Sequence, residues 1–225
     1  TDAEKAEYAA SLISIGAVNE GLKLLSSVDS QKVPDSLLFT AFAYFAKWDY
    51  ARSIPVLESY LRMTPTTSYA YLVGQLNLAP ALIFCGEYDE ARKTLSAVME
   101  AAKQRNLGLV LGNALQLMAG LHVYQGQYDE AENFAQQAMQ ALQVGQGNYL
   151  LLARKWEAIA AYLKNPTANA KQLDLIRKEA RRLGRWEVLR DCDYFQAVCG
   201  GDEALLQFLY FGSPHTAFRN RLERE

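Results

Sequence analysis

The sequence predicts an all-α fold: a solenoid of antiparallel helix hairpins stacked side by side, with about twelve or thirteen helices. Three observations predict it. A short motif recurs at a spacing of 40 residues. Apolar residues on either side of it recur every three and four positions, the period of a helix with a buried face. Fourteen Gly and six Pro in 225 residues leave room for long helices, and no alternating, strand-like run interrupts them.

The best copies of the motif are Gly86-Glu87-Tyr88-Asp89-Glu90-Ala91-Arg92 and Gly126-Gln127-Tyr128-Asp129-Glu130-Ala131-Glu132. Their flanks agree as well, Met99 with Met139 and Ala101 with Ala141. Forty residues upstream stands Ala46-Lys47-Trp48-Asp49-Tyr50-Ala51-Arg52, and forty downstream the breaker Lys164-Asn165-Pro166-Thr167. Weaker copies at Gly16-Ala17-Val18-Asn19-Glu20-Gly21 and Gly184-Arg185-Trp186-Glu187 fall out of phase. Each residue of the motif has a physical role. Gly supplies the left-handed residue that ends one helix. Trp48, Tyr88 or Tyr128 packs back on that helix, Asp complements the dipole of the next one, and Ala91 or Ala131 lets the two helices approach closely.

Taken in order, the breaks predict helices near 3–15 and 17–27, parted at Gly16, then 35–46 and 48–62, parted at the Trp48 motif. Helices over 68–85 and 88–104 flank Gly86, with Leu76, Ala79, Ile83 and Leu95, Val98, Ala102 at helical spacing. Pro80 lies inside the first of these and should kink it. Helices over 107–125 and 128–144 flank Gly126, and 148–163 and 168–183 flank Pro166. The remaining helices are 185–199, 202–211 and one opening at Ser213-Pro214, a cap followed by Pro at the first helical position.

The motif G-x-Y-x-E-A after an apolar helix resembles the tetratricopeptide repeat family, best over residues 35–145 and weakly beyond. Leu78, Ala79 and Leu82 stand where that family has its leucine, small residue and aromatic. Met118, Ala119 and His122 take those places in the next unit, and Leu38, Phe39 and Phe42 in the one before, where Phe39 departs from the small-residue rule. The resemblance implies a right-handed superhelix over residues 1–211, with 212–225 as a capping helix or the start of a linker to a further domain. Forty residues exceed the usual 34 of that family. Lengthened units of this kind look like the regulatory domains of large bacterial transcription activators of the maltose-activator type.

Composition excludes several classes. Half the residues are apolar, 21% are charged and 11% aromatic, a balance suited to a folded chain with a buried core. Lys plus Arg is 23 and Asp plus Glu 25, so the net charge of −2 argues against a generally basic nucleic-acid binder. Cys85, Cys192 and Cys199 match no metal spacing and read as buried, reduced thiols of a cytoplasmic protein. Residues 70–85 and 107–124 are mostly apolar but fall short of the roughly 20 residues that span a bilayer. Both read as buried helices. The chain opens without Met and closes in a charged run over 219–225, which reads as a piece of something longer.

No constellation suggests catalysis, a cofactor or a metal. His122 falls at a core position of an apolar helix, and His215 beside Ser213 sits at a cap, without base, orienter and oxyanion hole together. Gly145-Gln146-Gly147 lacks the third glycine of a phosphate-cradling loop, since Leu150 stands there. Asp89-Glu90 and Asp129-Glu130 repeat with the fold at helix starts. An enzyme is the remote reading.

Stacked hairpins expose an extended concave surface lined by the first helix of each pair. The period places Val73, Leu76, Pro80 and Ile83 on it, with Asn113, Gln116, Gly120 and Val123 forty residues on and Val33, Ser36, Thr40 and Ala43 before. This stripe carries no Lys or Arg, so it suits an apolar helix or extended segment better than an acidic C-terminal peptide. Several of these residues serve equally well as contacts to the next hairpin. A second feature is charge. Residues 1–149 carry 10 basic and 15 acidic side chains, and 150–225 carry 13 and 10. Arg177, Lys178, Arg181, Arg182 and Arg185 form a basic face, either merely solvated or facing an acidic partner; direct contact with nucleic acid is disfavoured for want of an aromatic platform.

The leading expectation is a non-catalytic protein–protein interaction module of a bacterial regulatory or assembly protein, with a protein or peptide partner, another domain of the same chain included. The alternative is a small-effector sensor domain of a transcription activator. The family resemblance adds self-association through an end helix to the outcomes to test.

Overall fold

The computed structural model describes residues 1–142 and 147–212, with the side chains of residues 147 and 148 left aside. Twelve helices and no strand occur among the described residues. They are α1 Asp2–Ser14, α2 Val18–Leu25, α3 Asp35–Ala46, α4 Tyr50–Met63, α5 Tyr69–Cys85, α6 Tyr88–Gln104, α7 Gly108–Tyr124, α8 Tyr128–Ala141, α9 Gly147–Lys164, α10 Pro166–Arg182, α11 Trp186–Gly200 and α12 Glu203–Gly212. None is long and apolar enough to cross a membrane. His215, the Ser213-Pro214 helix start, the charged run over 219–225 and most of the Gly145-Gln146-Gly147 segment lie outside the described residues.

The described residues divide into two compact units, the first over residues 1–91 and the second over residues 92–212. In the first, α1 packs on α2 and α3, α2 on α3, α3 on α4, and α4 on α5. Ala6, Ala9 and Leu25 bury themselves with Ile13, Val28 and Phe39 around them. In the second, α7 packs on α8 and α9, α8 on α9, α9 on α10 and α11, α10 on α11, and α11 on α12. Leu115, Ala138, Leu142 and Ala153 form one of its cores, with Phe134 and Tyr149 packed against them. Within each unit, helices joined by short turns therefore pack on each other, as the periodicity predicts.

The turns explain the pairing and correct one alignment. Trp48, Gly86 and Gly126 each hold a left-handed backbone, with φ of 57°, 85° and 73°. In each, the next amide donates to a carbonyl five residues back: Asp49 to Tyr44, Glu87 to Leu82 and Gln127 to His122, all at 2.9 Å. This closure makes Trp48 the counterpart of Gly86, not of Tyr88. The first of these spacings is thus 38 residues and the second 40. Tyr50, Tyr88 and Tyr128 open their helices in register. The fully buried small residues are then Ser53, Ala91 and Ala131 on the second helices and Ala41, Ala79 and Ala119 on the first. Phe39 is no departure from the small-residue rule; Ala41 satisfies it.

The breaker over 164–167 parts α9 from α10 at a single residue, Asn165, and Pro166 starts α10 at its first position, with the Asn165 side chain accepting a hydrogen bond from the Ala168 amide at 3.1 Å. Helix α5 continues through Pro80, and α4 through Pro55, which the sequence pattern passed over.

The corrected register predicts opposite outcomes for two neighbours. Ser53→Leu forces a large side chain into a closed helix crossing and should lower the unfolding free energy by about 1–3 kcal/mol. Ala51→Leu, on an exposed position, should change it by no more than about 0.5 kcal/mol. Urea unfolding of the two variants reads the difference, and equal effects would contradict the 38-residue spacing.

Candidate interaction face

Helix α7 is buried almost throughout, yet Asn113, Leu117 and Tyr124 remain half-open. With Gly120 they stand at i, i+4, i+7 and i+11, one stripe of a helix. Forty residues earlier, Val73, Asn77, Pro80 and Phe84 are likewise half-open on α5. The expected groove residues fall into two sets accordingly. Val73, Pro80 and Asn113 lie on open stripes. Ser36, Leu76, Ile83, Gln116 and Val123 are buried, and their side chains serve packing. Thr40 is half-buried and its hydroxyl donates to the Ser36 carbonyl at 2.7 Å. The physical reason is angular: one residue is 100° of a helix, and the open stripe lies one residue beyond Leu76, Ile83, Gln116 and Val123. In the first unit the 38-residue register puts the exposed Phe42 in the place of Pro80.

The second unit shows what occupies Gln116. The Trp156 indole of α9 lies against Gly120, where an added Cβ would stand 2.7 Å from the ring, so glycine is required there. Its Nε1 donates to Gln116 Oε1 at 3.1 Å, and Gln116 Nε2 donates to Asn113 Oδ1 at 2.7 Å. Tyr124 and Phe195 meet the indole edge-on at 6.1 and 6.3 Å, and Tyr194 meets Phe195 at 5.1 Å. Such edge-to-face pairs fix ring orientation as well as burying area.

Beside the aromatics lies a buried ionic group. Lys155 Nζ sits 3.7 Å from the centre of the Trp156 ring and 2.6 Å from Asp191 Oδ2. Arg190 Nε donates to Asp191 Oδ1 at 2.9 Å. Burial works to raise the Asp191 pKa, but Arg190 and Lys155 outweigh it and hold the carboxyl below its ordinary value. Between the carboxylates, burial pushes the Cys192 thiol up to about 12, which keeps it neutral and a poor nucleophile near pH 7. Arg177 pairs with Asp193 at 2.5 Å and donates to Gln196 at 2.7 Å. It therefore belongs to this interior group, a correction to the expected basic face. Lys178, Arg181 and Arg182 are exposed, and Arg185 is half-buried.

His122 is a packed residue. Its ring stacks on Phe134 at 5.1 Å, Nδ1 lies 2.7 Å from Gln127 Oε1, and Nε2 lies 3.3 Å from Arg92 Nη1. Both contacts fit a neutral ring with its proton on Nδ1. Burial, helped by the Arg92 charge, lowers its pKa below the ordinary 6.5. Among the described residues, no group of three or more His, Cys, Asp or Glu is placed to hold a metal ion. Asp89, Glu90, Asp129 and Glu130 lie in the first turns of α6 and α8, as helix-start residues should.

Sequence reasoning missed Trp156, Lys155, Asp191, Tyr124 and Phe195. The repeat fades beyond residue 145, so no register could be carried onto α9 and α11. The available signal was a charged residue within an apolar helix, Lys155 beside Trp156.

The tetratricopeptide repeat family matches residues 71–143. No curated protein matches the chain. Among solved structures, the chain is similar to a Rap protein complexed with competence and sporulation factor, with a TM-score of 0.66 at 15% identity, covering 98% of this chain and 70% of that one. It is also similar to a Podosopora anserina kinesin light chain protein of nearly identical TPR-like repeats, with a TM-score of 0.58 at 20% identity, covering 81% of this chain and 95% of that one. These likenesses show a fold: an all-helical, tetratricopeptide-like solenoid.

Two measurements check the chemistry of this unit. Of the three cysteines expected to be buried only Cys192 is, while Cys85 and Cys199 stand at the exposed ends of α5 and α11, so thiol titration of the native protein near pH 8 should count two, with Cys192 reacting only after denaturation. Three fast thiols in the native state would contradict the buried thiol. The depressed His122 pKa gives stability that is complete above about 6.5, where the unfolded imidazole is also neutral, and lost as pH falls through that value. Stability should therefore drop between pH 7.5 and 5.5, and the drop should shrink in His122→Gln; an unchanged drop would place its cause elsewhere.

Proposed function

We propose that residues 1–211 serve as a non-catalytic interaction module of a bacterial regulatory or assembly protein, holding a protein or peptide segment along the half-open stripe of α7. One observation carries the reading. A helix buried on its other sides leaves Asn113, Leu117 and Tyr124 accessible, backed by Trp156 over Gly120. That gives an apolar strip with one amide, suited to an apolar helix or extended segment. The solved relative that holds competence and sporulation factor supports a scaffold of this kind engaging a partner. The reading also takes Cys85, Cys192 and Cys199 as reduced thiols of a cytoplasmic protein, their spacings matching no metal pattern.

The sensor reading, a domain like those of maltose-activator-type regulators, draws on the repeat length. The observed spacings of 38 and 40 residues exceed the usual 34. Under it the same stripe receives a small effector.

A photo-crosslinking side chain placed at Leu117, compared with one at the exposed Gln137 of α8, tests the proposal in source cells. The scaffold reading expects a discrete polypeptide adduct from position 117 alone. Identical adducts from both positions, or none from 117, would defeat it. A thermal shift by a metabolite, lost in Leu117→Glu, would favour the sensor.

A further inference from the structure

The outer face of α10 is a charged surface that the packing of its own helix leaves exposed. Leu173, Ile176 and Ala180 bury one side of the helix. The opposite side presents Lys171, Leu175, Lys178 and Arg182, all exposed, at i, i+4, i+7 and i+11. They span about 16 Å of helix. Arg154, Lys155, Lys164, Arg177 and Arg190 elsewhere in this unit all pair with carboxylates. Among the described residues, no carboxylate lies within ion-pair distance of Lys171, Lys178 or Arg182. The like charges of Lys178 and Arg182, one turn apart, repel each other, and the carboxylates on their own helix are turned to other cations, Asp174 to Arg177 and Glu179 to Arg154. The face also carries apolar surface. Leu175 is 62% exposed, Leu183 follows in the turn, and Trp186 at the start of α11 is 66% exposed. Trp and Arg together are the residue types that anchor partners at interfaces.

We infer that this face docks an acidic polypeptide segment that also carries large apolar side chains. Cations spaced by helical turns would meet its carboxylates, while Leu175, Leu183 and Trp186 would meet the apolar groups. Nucleic acid fits less well, because the net charge of the chain is −2 and a phosphate backbone has no use for the aliphatic surface between the cations. This surface belongs to an outer helix of the second unit and is separate from the α7 stripe, so it stands or falls apart from the function proposed above.

The probe is a fluorescent synthetic peptide of Glu interspersed with Leu, about four helical turns long, titrated against the whole protein. A peptide of Glu alone, a single-stranded oligonucleotide and phosphatidylserine vesicles run beside it. The Glu-Leu peptide should bind and should weaken with rising salt. Lys178→Glu/Arg182→Glu, checked for helix content, should reduce the affinity about tenfold or more, the range expected when two interfacial charges are reversed. Trp186→Ala should narrow the advantage of the Glu-Leu peptide over Glu alone. Binding that ignores the charge reversal, or an oligonucleotide or vesicle bound at least as tightly as the peptide, overturns the inference. So does a dimer in sedimentation that the same charge reversal dissolves, since that would assign the face to a second copy.

Discussion

Every described hairpin and junction with a left-handed residue closes through the same hydrogen bond. Among the described residues seven have positive φ: Gly16, Trp48, Gly86, Asn106, Gly126, Gly184 and Gly201. After each, the following amide reaches back five residues, from Ala17 to Leu12, Asp49 to Tyr44, Glu87 to Leu82, Leu107 to Ala102, Gln127 to His122, Arg185 to Ala180 and Asp202 to Ala197. The closure satisfies carbonyls at the helix end and turns the chain back at a set angle. The small residues depend on it, since Ala79 and Ala91, or Ala119 and Ala131, reach full burial only when the turn returns the second helix along the first. Five of the seven are glycine, which adopts this conformation freely. Trp48 and Asn106 take it against a penalty of about 1–2 kcal/mol, offset by the packing the turn enables.

That non-glycine turn is where the sequence misled. Gly86 and Gly126 announce themselves, and the helices around them lie within a few residues of their predicted bounds. At the first motif the eye aligns Trp48 with Tyr88, because both are aromatic and both precede Asp. The backbone aligns Trp48 with Gly86, a two-residue shift that no composition rule exposes. The open stripe was misplaced for a related reason. A period identifies equivalent residues but not their azimuth, and azimuth depends on how neighbours pack. Val73, Pro80 and Asn113, placed on the stripe by the period, are half-open, whereas Asn77, Phe84, Leu117 and Tyr124 owe their exposure to the packing around α5 and α7, which no period encodes. Beyond residue 145 the repeat gives no register, so the aromatic and ionic groups of α9 and α11 were out of reach.

Those groups do different physical work from the alanines. Burying Lys155, Asp191 and Arg190 costs several kcal/mol per ion before their mutual attraction is counted, so the cluster is a poor source of net stability. Its effect is positional. Lys155 ties α9 to α11 through Asp191, and Arg177 ties α10 to α11 through Asp193. Sliding either helix by one turn, about 5.4 Å, would strand a buried charge. Apolar side chains in the same places would tolerate such a slip. The ionic group thus does on α9, α10 and α11 what the motif does earlier: it selects one register among many that hydrophobic packing alone would allow.

The consequence for function is that packing and recognition fall on adjacent residues of one helix. Gln116 is committed to Trp156, and Leu117, 100° away, is half-open. Gly120 admits the indole, which in turn backs the open stripe. A change at Gln116 or Gly120 would therefore act through the fold, by releasing Trp156, whereas a change at Leu117 meets the solvent side first. The α10 face divides in the same way. Arg177 turns inward to Asp193, while Lys178, the next residue, carries its charge outward with no carboxylate within ion-pair distance among the described residues. On both helices a rotation of one residue separates a side chain that holds the structure from one that is free to meet a partner.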